Sequence, residues 1–150
     1  SNNQYFDVLV TYAKQSDTDI FIKIDITNRH SKMAELTVLP TLWFYNRWSS
    51  NSAAKKPSIT ALSKTSVKAT HDRLGDYYFY FQPASDILFT NNETNTQKVT
   101  GQPNESIFVK DAFHDAIISK NNLTALTFKQ QRSFRSRTTS TGCNRRLGLK

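Results

Sequence analysis

The residues best suited to chemistry fall in three short stretches of the chain. In the first, Trp43 and Trp48 flank Asn46 and Arg47. Aromatic rings beside amide and guanidinium donors can stack on the apolar C–H face of a sugar while hydrogen-bonding its hydroxyls. The same tryptophan pair suits a core and a domain interface equally well. The second stretch holds Asn92, Glu93 and Asn95, and the third holds Lys110, Asp111, His114 and Asp115. Asp111 and Asp115 stand at i−3 and i+1 from His114, a spacing that can orient an imidazole or hold a cation beside it. A metal site needs more ligands than this, so the expected role is structural hydrogen bonding. Acid/base hydrolysis of a glycoside needs two carboxylates about 5–9.5 Å apart across the scissile bond. Glu93, Asp111 and Asp115 qualify only by lying in polar segments.

Other chemistries lack their signatures. The chain contains no Gly-rich phosphate loop, HExxH, EF-hand loop or nucleophile elbow, so no cofactor and no metal is expected. One cysteine, Cys143, allows neither an internal disulfide nor a cysteine-based zinc site, and it fits a reducing, cytoplasmic setting. Sequons at Asn92, Asn104 and Asn122 are what an Asn- and Thr-rich chain produces by chance. No apolar run approaches the ~18–20 residues of a membrane span, and the first twenty residues have neither a basic n-region nor an apolar h-region. No membrane partner is expected.

The net charge of +8 over 150 residues would ordinarily suggest an anionic partner, so its location decides what it means. Residues 1–119 hold 12 of the 20 Lys/Arg and all 12 Asp/Glu, whereas residues 120–150 hold 8 basic residues and no acid. The chain therefore divides into a charge-balanced domain, 1–119, and a basic tail, 120–150. The tail sets Arg132, Arg135, Arg137, Arg145 and Arg146 among Ser and Thr, with no strand alternation and no helical stripe beyond Leu126–Phe128. It reads as a solvated or non-native extension. An RNA- or phosphate-binding arm is the alternative, but nucleic acid is not the expected partner.

The elements that must position these residues are mostly strands. Phe6, Val8, Val10 and Tyr12 alternate with Asp7, Leu9 and Thr11, predicting a strand packed on one face. Ile20, Ile22, Ile24 and Ile26 at period two make the clearest strand. Leu36, Val38 and Leu39 begin a third strand that bends at Pro40 and resumes through Thr41–Tyr45. Ser58–Leu62 and Ser66–Thr70 are short strands. The aromatic run Tyr77–Phe81 suits a central strand, and Asp86–Thr90 is another short one. Asn91–Gln102 reads as a long polar loop. Lys110–Ile118 places Phe113, Ala116 and Ile117 at helical spacing, predicting one short helix with Asp111 near its start. Seven or so strands at 8–12-residue intervals point to an all-β, antiparallel β-sandwich.

The run Leu39-Pro40-Thr41-Leu42-Trp43-Phe44-Tyr45-Asn46-Arg47-Trp48-Ser49 resembles the LPTLWFRNTWSW-like signature of glucosidase-like proteins related to family 63 glycoside hydrolases. Collinear segments strengthen the likeness: Asp7–Lys14, Asp19–Ile24, Leu88–Asn95 and Val109–Asp115 are similar to stretches of the same group, with Ala112 where a glycine is frequent. The resemblance spans about residues 5–118. It implies a super-sandwich type β-domain preceding an (α/α)6 catalytic barrel that supplies the family's acid and base and lies outside this chain. No catalytic residue is carried over. After Ile118 the resemblance ends, and a frameshifted or truncated reading frame would explain both that and the acid-free composition. The expected function is a non-catalytic module whose loops at 43–48, 91–95 and 110–115 pack against and shape the barrel's sugar site. A free-standing carbohydrate-binding module that takes an oligosaccharide directly is the second reading.

Overall fold

The computed structural model describes residues 4–51, 53–84, 86–118, 130–131, 133–141 and 144–149. Eleven strands and two short helices account for most of these: β1 (Phe6–Lys14), β2 (Ile20–Asn28), β3 (Glu35–Val38), β4 (Thr41–Trp43), β5 (Ser58–Ser63), β6 (Ser66–His71), β7 (Gly75–Tyr80), β8 (Asp86–Thr90), α1 (Thr96–Thr100), α2 (Ala112–Ile118), β9 (Gln130–Gln131), β10 (Ser133–Thr141) and β11 (Asn144–Leu149). Every strand pairing is antiparallel. The class is therefore all-β, with a short helix where the spacing of Phe113, Ala116 and Ile117 requires one.

The strands form three sheets: β1-β2-β11, β7-β6-β5-β9, and a third in which β10 pairs with β3 and β4 on one side and β8 on the other. Pro40 has no N–H to give a ladder. The third strand accordingly stops at Val38 and restarts at Thr41, leaving β3 and β4 end to end along β10. All three sheets contribute to one core. Ile24 and Ile26 of β2, Ile59 of β5, Val67 and Ala69 of β6, Phe81, and Phe89 of β8 are buried together. Strand β8 is buried on both faces, as period-two geometry allows. Phe89 faces this core, while Leu88 belongs to a second cluster with Val109, Ala112, Phe113 and Ala116 of the α2 region. Strand β8 thereby fixes where α2 sits.

Four sequence expectations need correction. The alternation in β1 is real, but Val8, Val10 and Tyr12 are exposed, as is Leu9 on the opposite face. Alternation assigns residues to faces without saying what covers them, and among the described residues β1 is an edge strand paired only with β2. The aromatic run likewise forms an edge, β7, with Tyr77, Tyr78 and Tyr80 exposed. Tyrosine hydroxyls tolerate water, so the run's β propensity did not require burial. Residues 96–100, read as loop, form α1. The basic segment, read as lacking strand character, supplies β9, β10 and β11. Ladder pairing is made by backbone groups, and open edges on β2, β5, β8 and the β3–β4 line accept it without an apolar pattern. Among the described residues no helix is long and apolar enough to cross a membrane.

On the outward face of the β6–β7 hairpin, Lys68 Nζ lies 2.8 Å from Asp76 Oδ2, and Thr70 Oγ1 donates to Asp76 Oδ1 at 2.7 Å. The bonds from Lys68 and then Thr70 hold the Asp76 carboxyl below its ordinary value of 3.8. A carboxyl lowered by folding stabilises the fold above its ordinary value and loses that contribution as pH falls through the folded one. Asp76→Asn should therefore lower the urea midpoint at neutral pH and low salt, with the gap to the wild type closing on acidification below the ordinary value. In the core, Ile59 is fully buried, and Ile59→Ala should cost about 2–5 kcal/mol in urea denaturation. Val8→Ala on the exposed edge should stay within about 0.5 kcal/mol.

Candidate functional site

Beyond β4 the chain leaves its sheet and turns back through residues 44–50. The turn is closed by one side chain: Asn46 Oδ1 accepts from the Ser49 amide at 3.1 Å, and Asn46 Nδ2 donates to Ser49 Oγ at 2.9 Å. The same Nδ2 donates to the carbonyl of Asn92 at 3.0 Å. In return, Asn92 Nδ2 donates to the Phe44 carbonyl at 2.7 Å. Asn92 is the one described non-glycine residue with positive φ, 54°, a conformation asparagine tolerates better than most side chains. That backbone angle belongs to a residue whose amide and carbonyl both reach across to the 44–46 segment.

The 91–95 stretch is in turn tied to the approach to α2. Asn91 N donates to Phe108 O at 2.7 Å, and Lys110 N donates to Glu93 O at 2.9 Å. Asn95 caps α1 through Oδ1, which accepts from Lys98 N at 3.1 Å and from Asn104 Nδ2 at 2.8 Å, while its Nδ2 donates to Asp111 Oδ2 at 3.2 Å. Asn104 Oδ1 accepts from Thr96 Oγ1 and Gln97 N at 3.0 and 3.1 Å. Lys98 Nζ stands 3.6 Å from Asp111 Oδ2, and Lys110 Nζ donates to Thr94 Oγ1 at 3.4 Å. Short, polar side chains suit this segment because each can satisfy backbone groups that no ladder reaches.

The network frames a cleft of about 530 Å³, within the 300–1,000 Å³ range of small-ligand sites. Trp48 and Val109 supply buried apolar wall. Apart from Pro103, the rest of the lining is hydroxyl, amide and charge, including Thr96, Asn104, Glu105 and the pair Lys56 Nζ–Glu93 Oε1 at 3.6 Å. Such a lining offers both donors and acceptors beside an indole, a set able to hydrogen-bond a polyhydroxylated ligand.

Of the residues singled out by sequence, Asn46, Trp48, Asn92, Glu93, Asn95, Lys110 and Asp111 join this framework or its cleft. The two tryptophans separate: Trp48 is 7% exposed and walls the cleft, whereas Trp43 is 61% exposed. Arg47 points into a neighbouring cavity. His114 and Asp115 lie on the exposed side of α2, away from the cleft lining. His114 meets Asp111 only through its backbone amide, at 2.9 Å, so the two acids do not enclose its ring as the spacing had suggested. Among the described residues no group of three His, Cys, Asp or Glu side chains is placed to hold a metal.

Lys56, Asn104 and Glu105 were not foreseen. One signal was readable: Asn95 before Thr96–Thr100 and Gly101 after it, at φ 79°, are a helix cap pair. Recognising α1 would have brought the 102–106 segment back towards Asn95.

Asn92→Ala removes the bond to Phe44 and places a side chain without compensating contacts at positive φ. It should cost about 1–3 kcal/mol in urea denaturation. Asn92→Gly loses the same bond without the conformational strain and should fall between the alanine variant and the wild type. Compared with protein-family models, with curated proteins and with solved structures, the chain matches none of them.

Proposed function

We propose that this chain is a non-catalytic β-sandwich module of a family 63-like glycoside hydrolase, which presents the Trp48 cleft to a saccharide and packs against an (α/α)6 barrel carried elsewhere. The observation that carries the reading is convergence. The stretches around Asn46, Asn92 and Asp111, which bear the resemblance, are distant in sequence and joined by side-chain and backbone hydrogen bonds around one polar cleft. Exposed Trp43 and Tyr45, on the segment that leads to Trp48, with the apolar edge of β1, are surface of the kind an interdomain contact covers. The proposed setting is cytoplasmic, in keeping with the single cysteine.

Exposure of Trp43 also favours the second reading, a free-standing carbohydrate-binding module, which needs an aromatic platform open to solvent. Glu93 and Glu105 both border the cleft, so hydrolysis must be measured beside binding.

The test is calorimetric titration of the full chain with α- and β-glucosides, with hydrolysis of the matching nitrophenyl glucosides followed in parallel. Binding without turnover, weakened by Asn104→Ala, supports a saccharide-recognising module. If Trp43→Ala also weakens binding, the platform reading gains. Turnover abolished by Glu93→Gln or Glu105→Gln would overturn the non-catalytic reading. Absence of binding to every glucoside would remove the saccharide.

A further inference from the structure

Trp48 also borders a second cavity. A pocket of about 200 Å³ lies between the 45–57 segment and the β6–β7 turn, lined by Tyr45, Arg47, Lys55, His71, Asp72 and Arg73 together with Trp48. The chain alternates between the two spaces: Arg47 and Lys55 border this pocket, Ser49 and Lys56 border the cleft, and Trp48 borders both.

The walls are built rather than loose. Arg47 O accepts from Asn51 N at 3.1 Å, and Asn51 Oδ1 accepts from Ala53 N at 3.0 Å, closing the turn that carries Arg47. Opposite, His71 Nδ1 accepts from the amides of Arg73 and Leu74 at 3.1 and 3.3 Å, and its ring stacks on Phe44 at 5.6 Å. In that geometry Nδ1 accepts from the two amides, and it also stands 3.2 Å from Asp72 Oδ1. Among the described residues none of Arg47, Lys55 and Arg73 has a carboxylate partner. Three cations against one carboxylate, Asp72, leave two positive charges unbalanced.

We infer that this pocket takes the phosphate of a phosphorylated sugar whose ring lies in the adjoining cleft. The inference rests on the saccharide reading of that cleft and adds the ligand's charged group. A phosphate monoester carries about −1.5 to −2 at neutral pH, which matches the imbalance, whereas a carboxylate or a sulfate monoester carries a single charge and leaves one cation uncompensated. Guanidinium forks from two sides offer paired donors to its oxygens, and Tyr45 adds a hydroxyl. Both spaces border Trp48, so a sugar phosphate reaching from one to the other would pass this residue.

The experiment uses the full chain carrying Trp43→Phe, which leaves Trp48 as the only tryptophan and so a local fluorescence reporter. Glucose, inorganic phosphate and glucose 6-phosphate are titrated in turn, with maltotetraose as a neutral oligomer. Glucose 6-phosphate is expected to bind at least about tenfold more tightly than either glucose or phosphate alone. Arg47→Ala and Arg73→Ala should each weaken it about tenfold or more while leaving the neutral sugars unchanged. Lys64→Ala, on the far turn, serves as the charge control, and urea midpoints confirm that each variant folds. Neutral sugars binding as tightly as glucose 6-phosphate would overturn the phosphate site and leave the cleft reading standing. Phosphate binding as tightly as glucose 6-phosphate, with neutral sugars silent, would overturn the sugar phosphate and the cleft reading together. Loss of binding with Lys64→Ala equal to that with Arg47→Ala would reduce the effect to net charge and overturn the pocket.

Discussion

The two side-chain amide bonds that cross between the segments, from Asn46 to the Asn92 carbonyl and from Asn92 to the Phe44 carbonyl, are the constraint on which the site depends. Each side chain reaches the other segment's backbone, so neither the 44–50 turn nor the 91–95 stretch can move without breaking both bonds. Fixing the first segment places Trp48 where it lines two cavities, and fixing the second delivers Glu93 to Lys56 and Asn95 to Asp111. A neutral amide clamp is well suited to this task. It supplies directed donors and acceptors without placing an ionised group where its own solvation would have to be replaced.

The clamp in turn needs a rigid base, and β8 provides it. Burial on both faces ties this strand to the main core through Phe89 and to the α2 cluster through Leu88. The chain emerges from β8 at Thr90, itself fully buried, only two residues before Asn92. The positive φ of Asn92 is therefore imposed between a strand that cannot shift and two hydrogen bonds that define the direction of exit. Strain of this kind persists where surrounding structure over-determines the backbone. Here the determinants are the buried strand on one side and the Phe44 and Asn46 contacts on the other.

Legibility in the sequence followed how local each determinant is. The isoleucines of β2 announced a strand because the period-two pattern and the burial of Ile24 and Ile26 have the same cause, the central place of β2 between β1 and β11. In β1 and β7 the strand was legible and the burial was not, since edge position is decided by which partners arrive and a pattern within the strand does not record it. Strand β10 was illegible for a related reason: its ladder is backbone chemistry, and Ser, Thr and Arg make no apolar stripe to reveal it. At the site, the three polar stretches could be singled out by residue type, but the first is joined to the second through contacts 46 to 48 residues apart, and the second to the third through contacts such as Asn95–Asp111, 16 residues apart. Lys56 and Glu105 enter the cleft only through that assembly. His114 misled because spacing along a helix fixes direction around its axis, and the buried side of α2 was taken by Ala112, Phe113 and Ala116.

Residues 1–119 balance their acids and bases in number, yet pairing does not distribute them evenly over the surface. Lys23–Asp25, Lys56–Glu93, Lys68–Asp76 and Lys98–Asp111 are local neutral pairs. Removing such pairs from consideration leaves the cations around the β6–β7 turn and the 45–57 segment without counterparts, although the domain total is zero. A sequence-level count averages that asymmetry away. A local field arises from groups held within a Debye length, about 8–10 Å at ordinary salt, so it is the fold, through the closed turns of Arg47 and Arg73, that converts a balanced composition into a positively charged cavity beside a hydroxyl-rich one whose lining carries the pair Lys56–Glu93 and the further carboxylate of Glu105.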